Sequence, residues 1–158
     1  MKLRRILLLL VSHAVVAVAG FAAGIYTLPL LIAPEGPTAA QVKSAGERAR
    51  HTGQFRRDLK GSDALHWGEG RVTVGPDVVA LLGEVAPGPD YKLYLSPRFV
   101  ETEAEVEALK AQMLRVGDVK TFSNFIVPLP ADVDLEKYDT VLVWCETFSQ
   151  FITAAKYR

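Results

Sequence analysis

Thr140-Val141-Leu142-Val143-Trp144-Cys145 is apolar at every position after the first, and its reading decides how the rest of the chain is understood. A strand turns successive side chains to opposite faces, so Val141, Val143 and Cys145 share one face while Leu142 and Trp144 share the other. A run apolar on both faces is a central strand covered on both sides. Tyr91-Lys92-Leu93-Tyr94-Leu95 reads differently, because Tyr91, Leu93 and Leu95 alternate and place one face on a core.

Short runs of this kind, separated by Gly, Pro and Asp, fill the chain from Thr52 onward: 54–57, 69–74, 78–82, 91–95, 121–127, 140–145 and 148–154. Seven short strands predict a mainly β domain, a sandwich or a barrel. Gly75-Pro76-Asp77 supplies a hairpin turn. One helix is inserted: Thr102-Glu103-Ala104-Glu105 has the pattern of a capping box, Val106, Leu109 and Met113 follow at helical spacing, and Gly117 reads as the stop.

The N-terminal third is of another kind. From Ile6 to Ala33 there is no Asp, Glu, Lys or Arg. As a helix the stretch reaches about 40 Å, more than the ~30 Å hydrocarbon core of a bilayer requires. Lys2, Arg4 and Arg5 precede it and no basic residue follows at once, which favours a cytoplasmic N-terminus and a C-terminal domain across the membrane. Ala17-Val18-Ala19 before Gly20 also resembles a signal-peptide cleavage site. Cutting there would leave Phe21 to Ile32 as a bare apolar tail, so an uncleaved anchor is the expectation. Pro34-Glu35-Gly36-Pro37 ends the helix, and Thr38-Ala39-Ala40-Gln41, a second capping-box pattern, starts a short one toward Arg50. The expected organisation is a basic tip and transmembrane anchor over 1–33, a spacer over 34–51 ending at a solvated His51, and a β domain over 52–158. The expected location is single-pass in the inner membrane, with the domain in the periplasm or outside.

The chain holds 18 basic and 18 acidic residues, so the part beyond the three N-terminal cations is slightly acidic and offers no footprint for nucleic acid. Cys145 is the only cysteine, which excludes an intramolecular disulfide and a zinc site built on paired cysteines. There are no paired metal-binding histidines, no phosphate loop and no nucleophile elbow, so no metal is expected and nothing argues positively for an enzyme. A covalent c-type haem motif is missing too, and axially held haem would need His66, Met113, Cys145 or another group to converge.

Cys145, His66 and Trp144 are the candidate redox or ligand-bearing residues. Under strict alternation Cys145 sits among apolar neighbours, where a thiol behaves as a small hydrophobe with a raised pKa; the competing readings are a redox or ligand-bearing thiol, or a hydrolytic nucleophile paired with His66. His66 lies between Asp63 and Glu69, where an imidazole can meet a metal, haem or a backbone carbonyl. His13 lies inside the apolar stretch, where a neighbouring helix or interfacial water satisfies it. Tyr91, Tyr94, Trp67, Trp144, Phe148 and Phe151 are expected mostly in the core, with any exposed pair a platform for sugars or a partner protein.

Four stretches together resemble a known family: Gly53-Gln54-Phe55; Ala64-Leu65-His66-Trp67-Gly68-Glu69-Gly70; Gly88-Pro89-Asp90-Tyr91-Lys92-Leu93-Tyr94-Leu95; and Val143-Trp144-Cys145-Glu146 with Phe148. In that order and spacing they look like the DM-thirteen domain, also called the electron-transfer DM domain, over about Thr52 to Arg158. In animals that domain occurs beside DOMON domains, which bind haem or sugar, and beside cytochrome-b-type membrane domains; its characteristic cysteine corresponds to Cys145. The resemblance implies a membrane-anchored redox or electron-transfer module whose cofactor is unknown and whose redox partner is a separate protein. The alternative is a non-catalytic module that binds an envelope glycan or protein.

Overall fold

The apolar stretch forms one helix, α1 (Lys2–Ile32), about 46 Å long at 1.5 Å per residue and long and apolar enough to cross a membrane. The computed structural model describes residues 2–158, so Met1, the first residue of the expected cytoplasmic tip, lies outside the described residues. Pro29 inside α1 is buried and Ile25, one turn earlier, is half-buried, so a single stripe near the helix end meets the domain.

The chain leaves helical conformation after Ile32, and α2 (Ala39–Ala45) follows. Its capping box is complete: the Gln41 backbone N–H donates to the Thr38 hydroxyl (3.3 Å), and Gln41 Oε1 accepts from the Thr38 N–H (2.8 Å). Val42 on α2 is buried, and the helix packs on the sheet rather than lying free. Asn124 Nδ2 also donates to the Pro37 carbonyl at 3.0 Å. The segment expected as a spacer is thus held against the domain, and His51, expected at its solvated end, opens the first strand with its ring 5.4 Å from that of Tyr157.

Eight strands follow: β1 (His51–Phe55), β2 (Gly68–Val74), β3 (Val78–Val85), β4 (Tyr91–Ser96), β5 (Leu114–Val119), β6 (Ser123–Pro128), β7 (Thr140–Cys145) and β8 (Gln150–Lys156), with α3 (Glu103–Leu109) between β4 and β5. They form two antiparallel four-stranded sheets, ordered β1-β2-β3-β6 and β5-β4-β7-β8. The sheets face one another without closing into a ladder, which resolves sandwich against barrel in favour of the sandwich. Gly75 turns β2 into β3 through its N–H to the Val78 carbonyl at 2.8 Å, the hairpin expected there.

Strand β7 is central and buried at all six positions. Val141, Val143 and Cys145 face the inter-sheet core with Leu93, Leu95, Val72 and Leu81. Leu142 and Trp144 face outward into a second cluster, where Val106 and Leu109 of α3 cover them. Each such side chain removed from water contributes about 1.5–3 kcal/mol, which fixes β7 against both layers.

The inserted helix is shorter than its spacing predicts. Beyond Leu109 a single 3-10 turn, Lys110–Gln112, leads into an extended Met113, and Gly117 lies within β5 instead of ending a helix. The alternating Leu114 and Val116, which pack on the inner core, were the strand signal. Gly117 is needed for another reason: a Cβ there would stand 2.9 Å from Val127 Cγ1, where β5 and β6 approach at the corner of the sandwich. The cap is also partial, since Thr102 accepts from the Glu105 N–H while the Glu105 carboxylate turns to the Glu101 N–H at 2.8 Å.

Candidate functional site

One end of the sandwich gathers three loops and the end of α1. Tyr91 at the start of β4 stands opposite Cys145 at the end of β7. The motif Gly88-Pro89-Asp90 leads into β4, and Asp90 ties this loop to the β7–β8 turn. Its backbone carbonyl accepts from the Glu146 N–H (3.0 Å), and its carboxylate accepts from the Thr147 hydroxyl (3.0 Å). Lys92 pairs with the same carboxylate at 2.7 Å and holds Asp90 below the usual carboxylate range. Ser149 closes the turn with φ 49°, in the left-handed region.

The third loop carries His66. Asp63 Oδ1 accepts from the N–H groups of Leu65 (2.7 Å) and His66 (2.8 Å), while Oδ2 lies 2.9 Å from His66 Nδ1. The hydrogen bond to His66 holds Asp63 below its ordinary value, so it is ionised at neutral pH and accepts the Nδ1 proton. That leaves Nε2 as the ring nitrogen not engaged by Asp63.

Between these loops and α1 lies a cavity of about 390 Å³. Cys145, Tyr91 and His66 line it from the domain, Leu65 and Phe148 stand at its border, and Ile25 and Tyr26 close it from the helix. No Lys, Arg, Asp or Glu among the described residues lines it. Cys145 and Tyr91 are almost wholly buried, at 2% and 3% exposure. No hydrogen bond from the Tyr91 hydroxyl is found among the described residues, and the hydroxyl lies against Gly88, where any Cβ would collide with it. Burial pushes the Tyr91 phenol up. Burial likewise pushes the Cys145 thiol up; backbone N–H groups of Phe148, Asp90 and Thr147 act in the opposite sense without reversing it. Both groups therefore keep their protons at neutral pH and offer donors in an apolar setting.

Of the three candidate residues, the structure brings Cys145 and His66 to one cavity and leaves Trp144 out. Trp144 points to the other face of β7, 1% exposed, with Lys110 Nζ 5.0 Å above its ring and an indole N–H that has no partner among the described residues. Met113 also packs on that outer face, so the set His66, Met113 and Cys145 does not converge as axial haem ligands would. No group of three or more His, Cys, Asp or Glu suited to a metal occurs among the described residues. A raised thiol is the reverse of what an activated nucleophile needs, which speaks against hydrolysis by Cys145 and His66. Of the aromatic set, Tyr91, Tyr94, Trp144 and Phe151 are buried, the Arg57 guanidinium covers the Trp67 ring at 3.3 Å, and Phe148 is exposed. Sequence reading passed over Tyr91 as a core residue. It also passed over Asp63 as the holder of His66, although an Asp three residues before a His is the spacing of a side-chain-to-backbone turn.

Behind the site, Glu146 accepts from the Tyr94 hydroxyl and pairs with Lys110 Nζ at 2.6 Å. Burial alone would raise Glu146, but the bonds from Lys110 and Tyr94 outweigh it and hold the carboxylate low.

Fold and site together define a β-sandwich domain carried on an apolar helix, with a protonated thiol, a phenol and an oriented imidazole lining one uncharged cavity. The chain belongs to the family described as Electron transfer DM13, whose model matches residues 55–157, well over half of the chain. No curated protein and no solved structure matches it. Membership bears out the resemblance read from the four sequence stretches, and the family description points to a redox-related module.

Proposed function

We propose that the protein is a membrane-anchored, extracytoplasmic electron-transfer module that exchanges electrons with a partner, with its redox site at the cavity beside Cys145. The observation that carries this reading is that Cys145, the one cysteine of a chain in the electron-transfer family, lies in the wall of a cavity shared with His66 and Tyr91. A buried thiol and phenol in a charge-free pocket suit a group that must be shielded from water and held by neutral donors. The three cations before the apolar stretch, Lys2, Arg4 and Arg5, support an N-terminus in the cytoplasm and a domain on the outer side.

The test is the visible absorption spectrum of the full chain purified from its native membrane, recorded through a cycle of dithionite and ferricyanide. The reading expects an absorbance that changes reversibly with the cycle and is altered by Cys145→Ala. A protein without any reducible signal, whose Cys145 is chemically unchanged after the cycle, overturns it.

A further inference from the structure

The cavity is walled on one side by the helix that is long and apolar enough to cross a membrane. About 20 helical residues cross the ~30 Å hydrocarbon core. Counted from Ile6, just past Arg5, they bring the far boundary to about Tyr26, an aromatic residue of the type enriched at that boundary. Ala22, Ile25 and Tyr26 line the cavity, so its mouth lies at the level where acyl chains meet headgroups. The domain has three large apolar side chains exposed among the described residues, and two of them, Leu65 at 54% and Phe148 at 50%, border this mouth. Side chains of that kind at a bilayer surface are in their preferred medium.

The lining selects among membrane-resident molecules. With no cationic side chain in the wall, a phosphate-bearing headgroup would be buried without a partner, at a cost of several kcal/mol. What the wall does offer is the hydroxyl of the buried Tyr91, without a partner among the described residues, the Cys145 thiol, and the imidazole held by Asp63. Protonated donors suit carbonyl oxygens, and a free imidazole nitrogen suits a ring hydroxyl. A volume of about 390 Å³ falls in the lower part of the range for small-molecule sites.

We propose that this cavity binds a membrane quinone, its ring between Tyr91, Cys145 and His66 and its apolar tail passing Ile25 and Ala22 into the bilayer. The choice of a quinone among neutral lipids rests on the redox reading above; the placement at the membrane does not.

The test uses the full chain in phosphatidylcholine nanodiscs, with a benzoquinone that carries a ten-carbon tail and is fully substituted on the ring, so that it cannot add to the thiol. Differential scanning calorimetry reads binding as a rise in unfolding midpoint. The rise should saturate with quinone. Tyr91→Phe should raise the half-saturating concentration about 5- to 10-fold, as loss of one hydrogen bond implies. Ala22→Trp, which blocks the mouth from the lipid-exposed helix without touching the domain core, should abolish the rise. Absence of any rise, a rise that never saturates, an equal rise with decanol or diacylglycerol, or an undiminished rise in Ala22→Trp each overturns the proposal. Calorimetry reads binding and not electron flow. A bound quinone without a reducible signal therefore overturns the redox reading alone, and a redox-active protein indifferent to quinone overturns this inference alone.

Discussion

Tyr91 and Cys145 stand opposite each other across the β4–β7 ladder, and both line the same cavity, one with a phenol and the other with a thiol. The pairing is a consequence of register. Were β4 shifted by one residue, Lys92 would take the place of Tyr91 and bring a cation to the cavity.

The shielding of Cys145 is directly measurable. A water-soluble alkylating reagent should label the folded protein slowly and the urea-unfolded chain fast. Cys145→Ser should cost about 1–3 kcal/mol in chemical denaturation, because it places a hydroxyl in an apolar wall; Cys145→Ala should cost less. Labelling of the folded protein within seconds at neutral pH would contradict the burial seen here.

The ion pair behind the site should give a defined pH dependence. Glu146 is held low in the folded protein, so its contribution is present above the ordinary glutamate range and is lost as pH falls through the depressed folded value. Asp90 and Asp118, both held low by bonds from Lys92, lose their share in the same acid window. Glu146→Gln should destabilise the domain by about 1 kcal/mol at neutral pH, a modest figure because the pair is partly solvated. It should also flatten the acid limb of a stability profile followed by urea titration. An acid limb unchanged in the variant would remove Glu146 from the account.

Thr153 on β8 has a fully buried hydroxyl with no hydrogen-bond partner among the described residues, packed against Gly68. Thr153→Val keeps the shape and removes the orphaned group, so it should raise stability by about 1 kcal/mol. A loss of stability would mean that the hydroxyl is satisfied in solution.

Topology is testable by protease added to spheroplasts. With Lys2, Arg4 and Arg5 inside, the domain should be removed while the N-terminus stays protected. A domain digested only after lysis would reverse the orientation, and a mature chain beginning near Gly20 would remove the anchor.

The N-terminal border of the domain is also measurable. A protein begun at Pro34 should fold as a β-rich monomer. One begun at Gln41 lacks the Thr38 cap of α2 and should lose about 1 kcal/mol relative to it. Equal stability would show that α2 adds nothing to the domain.

Local pattern made much of this legible. Strand β7 was readable to the residue, because five consecutive apolar side chains have no other place than between two layers. The alternation of Tyr91, Leu93 and Leu95 placed their shared face on the core, where all three lie. Strand β5 was missed because Gly117 imitates a helix stop, and its true requirement is a neighbour, Val127, that lies outside any local window. The packing of α2 was hidden for the same reason: a capping box announces a helix but not the surface that receives Val42.

For the candidate site the division is sharper. The sequence by itself determined an apolar helix with cations at one end, a mainly β domain, a lone thiol on an apolar strand face, and four stretches in the order of one family. Each follows from local periodicity or from residue identity. Only the tertiary structure decided that His66 shares a cavity with Cys145, and that Trp144, next to Cys145 in the chain, does not line it. Alternation fixes which face a side chain takes, but which loop closes over that face depends on how two sheets and a helix end pack together.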